Sequence, residues 1–402
     1  MTETQVDIEL PPLRDAVGSA PGGRAPADGD PACVRRFVND GLNSQLTRPL
    51  PAGGWTVRAR AGLQPAVRPV AVLTVGERIV VEGAGPWRLF DFELRPLAQG
   101  FSVAGCTTLD SAGGRVLFTD ELALMRSARL SDGGGDRAVP LAFGREFRRT
   151  FVSARGSRLL AAGTERTINP HEAHEPDTVA VEVRELGDPV VADDDGLVMT
   201  SQTVGSLERK SAALVLAAAL HGDTLLAALE NRFLIAGPDL KVLAEFAGAF
   251  LPAHLSVDDL GRAHVLVTDE GGPRLWVLTA QGERTLSAGL PVADVRSTLG
   301  PPVIGFDRRI FVTTPDVVLA YSPEGRKLWE HRPTGRIAGA TVTTDDQLLV
   351  AAGNELSALD AEGRRRVLAE FPGESLRTAP VLSAGGDLLV ATDAALYRLT
   401  AG

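Results

Sequence analysis

The segment between residues 163 and 178 holds the densest group of side chains that could do chemistry. Its sequence NPHEAHEPD carries imidazoles and carboxylates at His171, Glu172, His174, Glu175 and Asp177. Zinc and similar divalent ions accept imidazole nitrogens and carboxylate oxygens as ligands. We therefore take His171, Glu172, His174 and Asp177 as candidate metal ligands, and Glu175 as a candidate interaction residue.

An alternative interpretation of this segment is a polar hairpin extension without a metal. Pro170 and Pro176 disfavour a helix, and the spacing of the two histidines is not that of the helical zinc-protease motif. Long loops on a rigid scaffold commonly carry binding functions. The segment is therefore also a candidate interaction loop.

A second candidate group is cationic. Arg145, Arg148 and Arg149 lie in the sequence GREFRRTF, within a chain whose formal net charge is −10. Guanidinium groups bind carboxylate and phosphate groups in bidentate pairs, so this group could bind an acidic peptide or a phosphate. The alternative is that these arginines occupy solvated strand and loop positions.

The composition argues against several classes of function. An acidic chain with a sequence pI of about 5.2 has no general attraction for nucleic acid. No apolar run approaches the roughly 18 residues of a membrane helix, so we expect no membrane insertion. Residues 1–30 show no basic and apolar secretory signal, and the expected location is the cytoplasm. Cys33 and Cys106 form no CxxC pair and predict no disulfide framework.

The elements that must position these residues form a repeat with a period of about 40 residues. A polar turn followed by an apolar strand occurs eight times, in residues 76–83, 113–120, 156–163, 222–229, 261–269, 307–314, 345–352 and 385–392. Further strands and glycine turns follow each of the later copies. Four strands in about 40 residues are typical of a propeller blade. The sequence thus predicts an all-β, eight-bladed β-propeller of four-stranded antiparallel blades, with seven blades as the alternative if residues 102–206 divide differently.

The two ends of the chain are predicted to meet. The last copy supplies three strands, whereas residues 55–61, which include Trp55, stand before the first copy. We therefore expect residues 55–61 to close the last blade within a propeller of residues 51–402. Residues 1–50 read as a flexible, disordered tail. Apolar residues near helical spacing predict a short helix over 32–46.

The best copy, residues 300–335, resembles the PQQ-like repeat of the quinoprotein alcohol dehydrogenase-like propeller superfamily. The residues that carry the resemblance include Pro302, Val303, Asp307, Gly325 and Trp329. The resemblance implies the propeller fold, but the superfamily contains enzymes, assembly scaffolds and sensor domains. PQQ-dependent dehydrogenases use adjacent cysteines and many tryptophans. This chain has neither, so PQQ and other cofactors are not expected, although a divalent metal remains an alternative.

No catalytic constellation stands out in the sequence. We expect a non-catalytic protein-interaction scaffold whose loops bind a protein partner. One alternative is a ligand- or metal-binding sensor or enzyme that uses the central channel or the 163–178 loop. Another is a propeller subunit of a bacterial multi-protein system. The sequence leaves the oligomeric state and the partner open.

Overall fold

The computed structural model of the chain is all β, apart from one 3-10 helix at Val295–Ser297 among the described residues. The described residues are 33–34, 45–46, 49–51, 53–63, 69–75, 77–83, 86–101, 107–110, 115–119, 124–129, 131, 139–140, 147–155, 158–165, 178–186, 190–191, 197–198, 201–210, 215–221, 224–229, 231–236, 241–258, 260–279, 281–383 and 386–402. Between residues 102 and 225 the description covers strand backbone and the side chains of Arg129 and Ser131 alone.

The strands pair into antiparallel sheets, which we number 1 to 8 by the position of their first strands. Sheet 1 consists of Pro69–Val75, Arg78–Gly83, Pro86–Asp91 and Pro96–Phe101, and sheet 2 of Thr107–Asp110, Arg115–Thr119, Leu124–Arg129 and Val139–Pro140. Sheet 3 consists of Phe147–Arg155, Arg158–Glu165, Thr178–Leu186 and Ser201–Lys210, and sheet 4 of Val215–His221, Thr224–Leu229, Arg232–Ala236 and Val242–Ala247.

The remaining sheets follow the same order. Sheet 5 consists of Leu251–Val257, Ala263–Asp269, Gly272–Leu278 and Arg284–Gly289, and sheet 6 of Val303–Ile304, Ile310–Thr313, Val318–Tyr321 and Lys327–His331. Sheet 7 consists of Ile337–Val342, Leu348–Ala352, Glu355–Leu359 and Arg365–Glu370. Sheet 8 consists of Val381–Leu382, Leu388–Ala391, Ala395–Ala401 and Trp55–Gly62. The prediction of an all-β chain built from four-stranded antiparallel units is therefore confirmed.

Position within a sheet explains why the apolar phrases of the sequence are continuous rather than alternating. Each of the eight phrases forms the second strand of a sheet. In the sheets whose side chains are described, these central strands are covered on both faces, as at Leu348–Ala352, where every residue is buried. Outer strands are more open, and Val242–Ala247 alternates between half-buried and exposed residues. A strand buried on both faces needs apolar side chains on both, whereas an outer strand does not.

First strands of neighbouring sheets lie against one another. Pro69–Val75 contacts both Val381–Leu382 of sheet 8 and Thr107–Asp110 of sheet 2, and Val303–Ile304 contacts Ile337–Val342. The apolar clusters also cross between sheets, because Val303 of sheet 6 and Val350 of sheet 7 belong to one buried cluster. We call the side of the sheets on which first strands meet the inner side, and the opposite side, formed by the fourth strands, the outer side.

A tryptophan and a glycine join sheets 6 and 7. Trp329 on the outer strand of sheet 6 donates its indole N–H to the Ala361 carbonyl, at 2.9 Å, in a turn of sheet 7. The same turn contains Gly363, where an added Cβ would lie 2.8 Å from the Trp329 ring. The close approach therefore depends on the absence of a side chain at Gly363, which also has a φ of +79°.

Sheet 8 joins the two ends of the described chain. Trp55–Gly62 pairs antiparallel with Ala395–Ala401, which is the position expected for the outer strand of the last unit. Trp55 is buried in the cluster shared by sheets 7, 8 and 1. Arg60 donates to the Tyr397 hydroxyl at 2.9 Å and to Glu374 at 3.0 Å. This contact ties the strand to the loop that enters sheet 8.

The structure differs from the helix predicted over 32–46 at both ends of that segment. Cys33–Val34 and Gln45–Leu46 are short strands that pair antiparallel with each other. Gln45 also pairs in parallel with Val342, so these strands extend sheet 7 beyond its first strand. The edge of sheet 7 supplies backbone hydrogen bonds that override weak helical spacing, and Asn39-Asp40-Gly41 is a turn signal within the segment. The division into a tail of residues 1–50 and a propeller of 51–402 stays a prediction.

Sheet 3 accounts for the longest interval between the repeats. Its strands are long, and a separate two-stranded pair, Val190–Val191 with Leu197–Val198, lies between its third and fourth strands. Glu165 pairs with Thr178, and the candidate metal and interaction residues between these two positions lie outside the described residues.

Candidate interaction surface

The turns within the sheets share a five-residue arrangement that positions their charged side chains. In the turn of sheet 5, the Asp258 N–H donates to the Arg262 carbonyl and the Gly261 N–H donates to the Asp258 carbonyl. The same two bonds begin at Asp91, Thr279, Gly305, Ser322, Thr343, Asp360 and Ser383. The fourth residue of each turn has a positive φ, and it is glycine in five of the eight, because glycine reaches this region without strain.

Polar side chains at the first position satisfy the backbone of their own turn. One oxygen of Asp258 accepts from the N–H groups of Leu260 and Arg262, at 3.0 and 2.9 Å. Its other oxygen accepts from Arg262 Nε at 2.7 Å. Asp360 and Arg364 repeat this arrangement in sheet 7, with an Nε to carboxylate distance of 2.7 Å. The carboxylates of Asp258 and Asp360 therefore satisfy the backbone of their own turns and pair with the arginine that ends each turn.

Asp258 also contacts a buried histidine. His264 Nε2 lies 3.0 Å from the second oxygen of Asp258, and both side chains are almost fully buried. Burial alone raises the pKa of the Asp258 carboxyl. The hydrogen bond and charge of His264, with the hydrogen bonds of Arg262, outweigh burial and hold that pKa well below its ordinary value. A carboxylate enclosed in this way stabilises the turn and does not face solvent.

The outer strands, in contrast, present apolar side chains to solvent. Six large hydrophobic side chains are exposed among the described residues, and five lie in fourth strands. The five are Val57, Leu97, Leu243, Leu328 and Val367. Leu243 is the most exposed, at 65%. We call these five residues the rim. Because they recur at the outer edge of several sheets, these side chains make the rim the candidate interaction surface among the described residues.

A β-bulge sets the direction of three of the rim side chains. The pairing of Leu89 with Ala98 and of Phe90 with Pro96 leaves Leu97 without an opposite residue. Leu243 and Leu328 occupy the same unpaired position in sheets 4 and 6, and Thr285 occupies it in sheet 5. A bulge interrupts the ladder and re-aims its extra residue, so these edges are poor templates for strand addition. The rim is therefore suited to contact through side chains.

Charged residues beside the rim pair with one another. The ammonium nitrogen of Lys327 lies 2.5 Å from a carboxylate oxygen of Glu330. A guanidinium nitrogen of Arg365 lies 2.5 Å from a carboxylate oxygen of Glu355. Exposed pairs of this kind contribute little to stability. They leave a polar surround next to the apolar rim residues, and this is the usual composition of a protein interface.

The site residues predicted from the sequence lie outside the part of the chain whose side chains are described. His171, Glu172, His174, Glu175 and Asp177, with Arg145, fall outside the described residues altogether. Arg148 and Arg149 belong to the strand Phe147–Arg155, of which the backbone alone is described. Within the described residues there is no group of three metal-capable side chains and no helix with the length and hydrophobicity of a membrane span.

Sequence reasoning missed the rim, although a signal for it exists. Leu97, Leu243 and Leu328 each stand second in their strand, directly after the turn residues. An apolar residue at that place in three outer strands is the feature that could have identified the surface.

Comparison with known proteins confirms the resemblance to PQQ-like propeller repeats. A family profile described as "Outer membrane protein assembly factor BamB" matches residues 261–401. No curated protein sequence matches the chain.

Two solved structures show the fold. BamB from Moraxella catarrhalis is similar with a TM-score of 0.58 and 12% identity, over 86% of this chain and 99% of that one. Sqt1 from Saccharomyces cerevisiae is similar with a TM-score of 0.60 and 10% identity, over the same shares of the two chains. Identities this low show the propeller fold alone.

Proposed function

We propose that this chain is a non-catalytic binding propeller whose eight sheets are its eight blades, and that a protein partner docks on the rim. The observation that carries the proposal is the distribution of exposed hydrophobic side chains. Five of the six among the described residues lie on outer strands, and one, Leu260, lies in a turn.

Geometry supports side-chain docking at the rim. The bulges at Leu97, Leu243 and Leu328 turn these residues away from the ladder and interrupt the edge. A partner that offers apolar pockets at the spacing of neighbouring blades would bury them. Complete burial of a leucine side chain contributes about 1.5–3 kcal/mol, and these leucines are already partly covered, so about 1 kcal/mol each is a reasonable contribution.

The comparisons are consistent with a partner-binding role. The matching family profile has the description of an assembly factor. This description supports, for the present chain, a role as a subunit that binds other proteins within a larger system.

The proposal can be tested with a triple variant, Leu97→Ser, Leu243→Ser and Leu328→Ser, used as bait in affinity purification with quantitative mass spectrometry. Leu260→Ser is the matched control, because the exposure of Leu260, 52%, lies within the range of the three rim leucines, 37–65%, but Leu260 lies away from the outer strands. Loss of about 3 kcal/mol corresponds to a Kd about 100-fold weaker, so proteins recovered with the wild type and the control should be lost with the triple variant.

Thermal unfolding must show that the triple variant remains folded, which is expected because exposed substitutions cost little. Equal recovery of the same proteins by the triple variant and the wild type would exclude the rim as the docking surface.

A further inference from the structure

The first strand of sheet 7 carries an added strand on its inner edge. Gln45 pairs in parallel with Val342, and the Gln45–Leu46 strand pairs in turn with Cys33–Val34. In the other seven sheets, as far as the structure describes them, the first strand is the end of the sheet. The inner edge of Ile337–Val342 therefore accepts a further strand, and the chain's own N-terminal region supplies it.

The direction of the peptide groups shows which atoms are used. The Thr343 N–H donates to the Gln347 carbonyl, at 2.9 Å, within sheet 7. Residues of an antiparallel pair alternate in direction, so the N–H and carbonyl of Val342 point away from its partner strand and towards Gln45. A parallel pair centred on these two residues places the Leu46 N–H against the Val342 carbonyl.

The added strand uses a small part of the edge. Its pairing with sheet 7 is the one residue pair Gln45 with Val342. By the same alternation, the N–H and carbonyl of Ala340 also face the inner edge, and no strand of the described residues pairs with Ala340 on that side. The edge can therefore hold a longer strand than the one present.

A separate contact holds the segment near this edge. The Leu50 N–H donates to Asp345 at 3.1 Å, and the Leu50 side chain is buried. Asp345 is fixed in turn by the Thr343 hydroxyl, at 2.5 Å, and by Gln347, at 2.6 Å. Leu50 thus anchors the segment to the turn of sheet 7, whereas the Gln45–Leu46 strand contacts sheet 7 through a single residue pair.

We propose that the inner edge of Ile337–Val342 is a strand-addition site, that its occupant is the Gln45–Leu46 strand of the same chain, and that this occupant can be displaced. Main-chain hydrogen bonds give affinity in this mode of recognition and demand little of the side chains. The site differs from the rim, where bulges interrupt the edges. It does not depend on rim docking, because the two surfaces lie on opposite sides of the sheets.

Amide hydrogen exchange on the full chain tests the resident contact. Leu46→Pro removes the N–H that donates to Val342, and Leu46→Ala is the matched control that keeps it. The Val342 amide should exchange about tenfold or more faster in Leu46→Pro than in the control, whereas the Val350 amide inside sheet 7 should not change. An unchanged Val342 amide would overturn the assignment of the pairing. In the wild type, a Val342 amide as slow as that of Val350 would show that the occupant does not leave the folded protein, which would overturn displacement.

A synthetic peptide of residues 41–50 tests whether the site accepts a separate segment. Added to the Leu46→Pro protein at millimolar concentration, the wild-type peptide should restore protection of Val342 in a saturable way and extend it to Ala340. A peptide with proline at position 46 is the control and should not protect. Failure of the wild-type peptide to protect Val342 would overturn the strand-addition site. The three rim substitutions, introduced into the Leu46→Pro protein, should leave the protection by the peptide unchanged, so failure here and failure of rim docking are distinguishable.

Discussion

The contact between Trp329 and Gly363 gives a quantitative prediction for Gly363→Ala. Two costs add at this position. Alanine at a φ of +79° costs about 1–2 kcal/mol because its Cβ approaches the backbone. In addition, the new Cβ would lie 2.8 Å from the Trp329 ring, and overpacking of this kind typically costs about 1–3 kcal/mol. The expected loss in the free energy of unfolding is therefore about 2–5 kcal/mol.

Gly373 provides the matched control. It has the same φ of +79°, and nothing lies within 4 Å of the position that an added Cβ would take. Gly373→Ala should therefore cost about 1–2 kcal/mol, the backbone part alone. The difference between the two variants measures the contact with Trp329.

A double-mutant cycle separates the two costs. Trp329→Ala removes the ring, so Gly363→Ala in that background should cost no more than Gly373→Ala in the wild type. The assay is equilibrium urea unfolding, followed by circular dichroism and by fluorescence to check that the transitions coincide. Equal costs for Gly363→Ala and Gly373→Ala in the wild type, or a cost at Gly363 that persists without Trp329, would refute the argument.

Two further predictions concern pH. Burial raises the pKa of Tyr321 to about 12, with a further contribution from Glu330, so the stability that this neutral phenol provides is complete below pH 10 and is lost as pH rises towards 12. Tyr321→Phe should therefore reduce unfolding at alkaline pH. It should also raise the free energy of unfolding at neutral pH by about 1 kcal/mol, because the Tyr321 hydroxyl has no hydrogen-bond partner among the described residues. An absorbance titration of tyrosinate in which Tyr321 ionises near pH 10 would contradict this. The pKa of Asp258 is lowered, so its contribution is present above about pH 4 and is lost as pH falls through its folded pKa. Asp258→Asn should lower the free energy of unfolding by about 3 kcal/mol at pH 7, and this difference from the wild type should shrink in acid. A difference that is constant from pH 7 to pH 3 would exclude the ionised carboxylate as its cause.

The sequence could predict the strands that are buried on both faces. Runs such as Leu348–Ala352 must be apolar throughout, and a polar turn must precede them, so they recur as a visible phrase. The pairing of Trp55–Gly62 with Ala395–Ala401 was also accessible, because one unit lacked a strand and another segment was left over.

Other features could not be predicted because they depend on contacts distant in sequence. The strands at Cys33–Val34 and Gln45–Leu46 form where an open sheet edge lies, and apolar spacing alone favoured a helix there. The rim depends on the bulges at Leu97, Leu243 and Leu328, and a bulge can be recognised only when the register between its strand and the neighbouring strand is known. The phrase at residues 261–269 was visible as a turn and a strand, but the contact of His264 with Asp258 depends on the packing of the sheet.

The pairing of the first long strand with the last one has a consequence during synthesis on the ribosome. Arg60 and Tyr397 are 337 residues apart in sequence. At translation rates of about 5–20 residues per second, the strand that contains Arg60 waits roughly 20–70 seconds for its partner to be made. During that time its hydrogen-bonding groups are open to wrong partners, and the charges of Arg58 and Arg60 on this strand oppose aggregation. Replacement of both arginines by apolar residues should therefore lower soluble yield more than it lowers the stability of the finished protein.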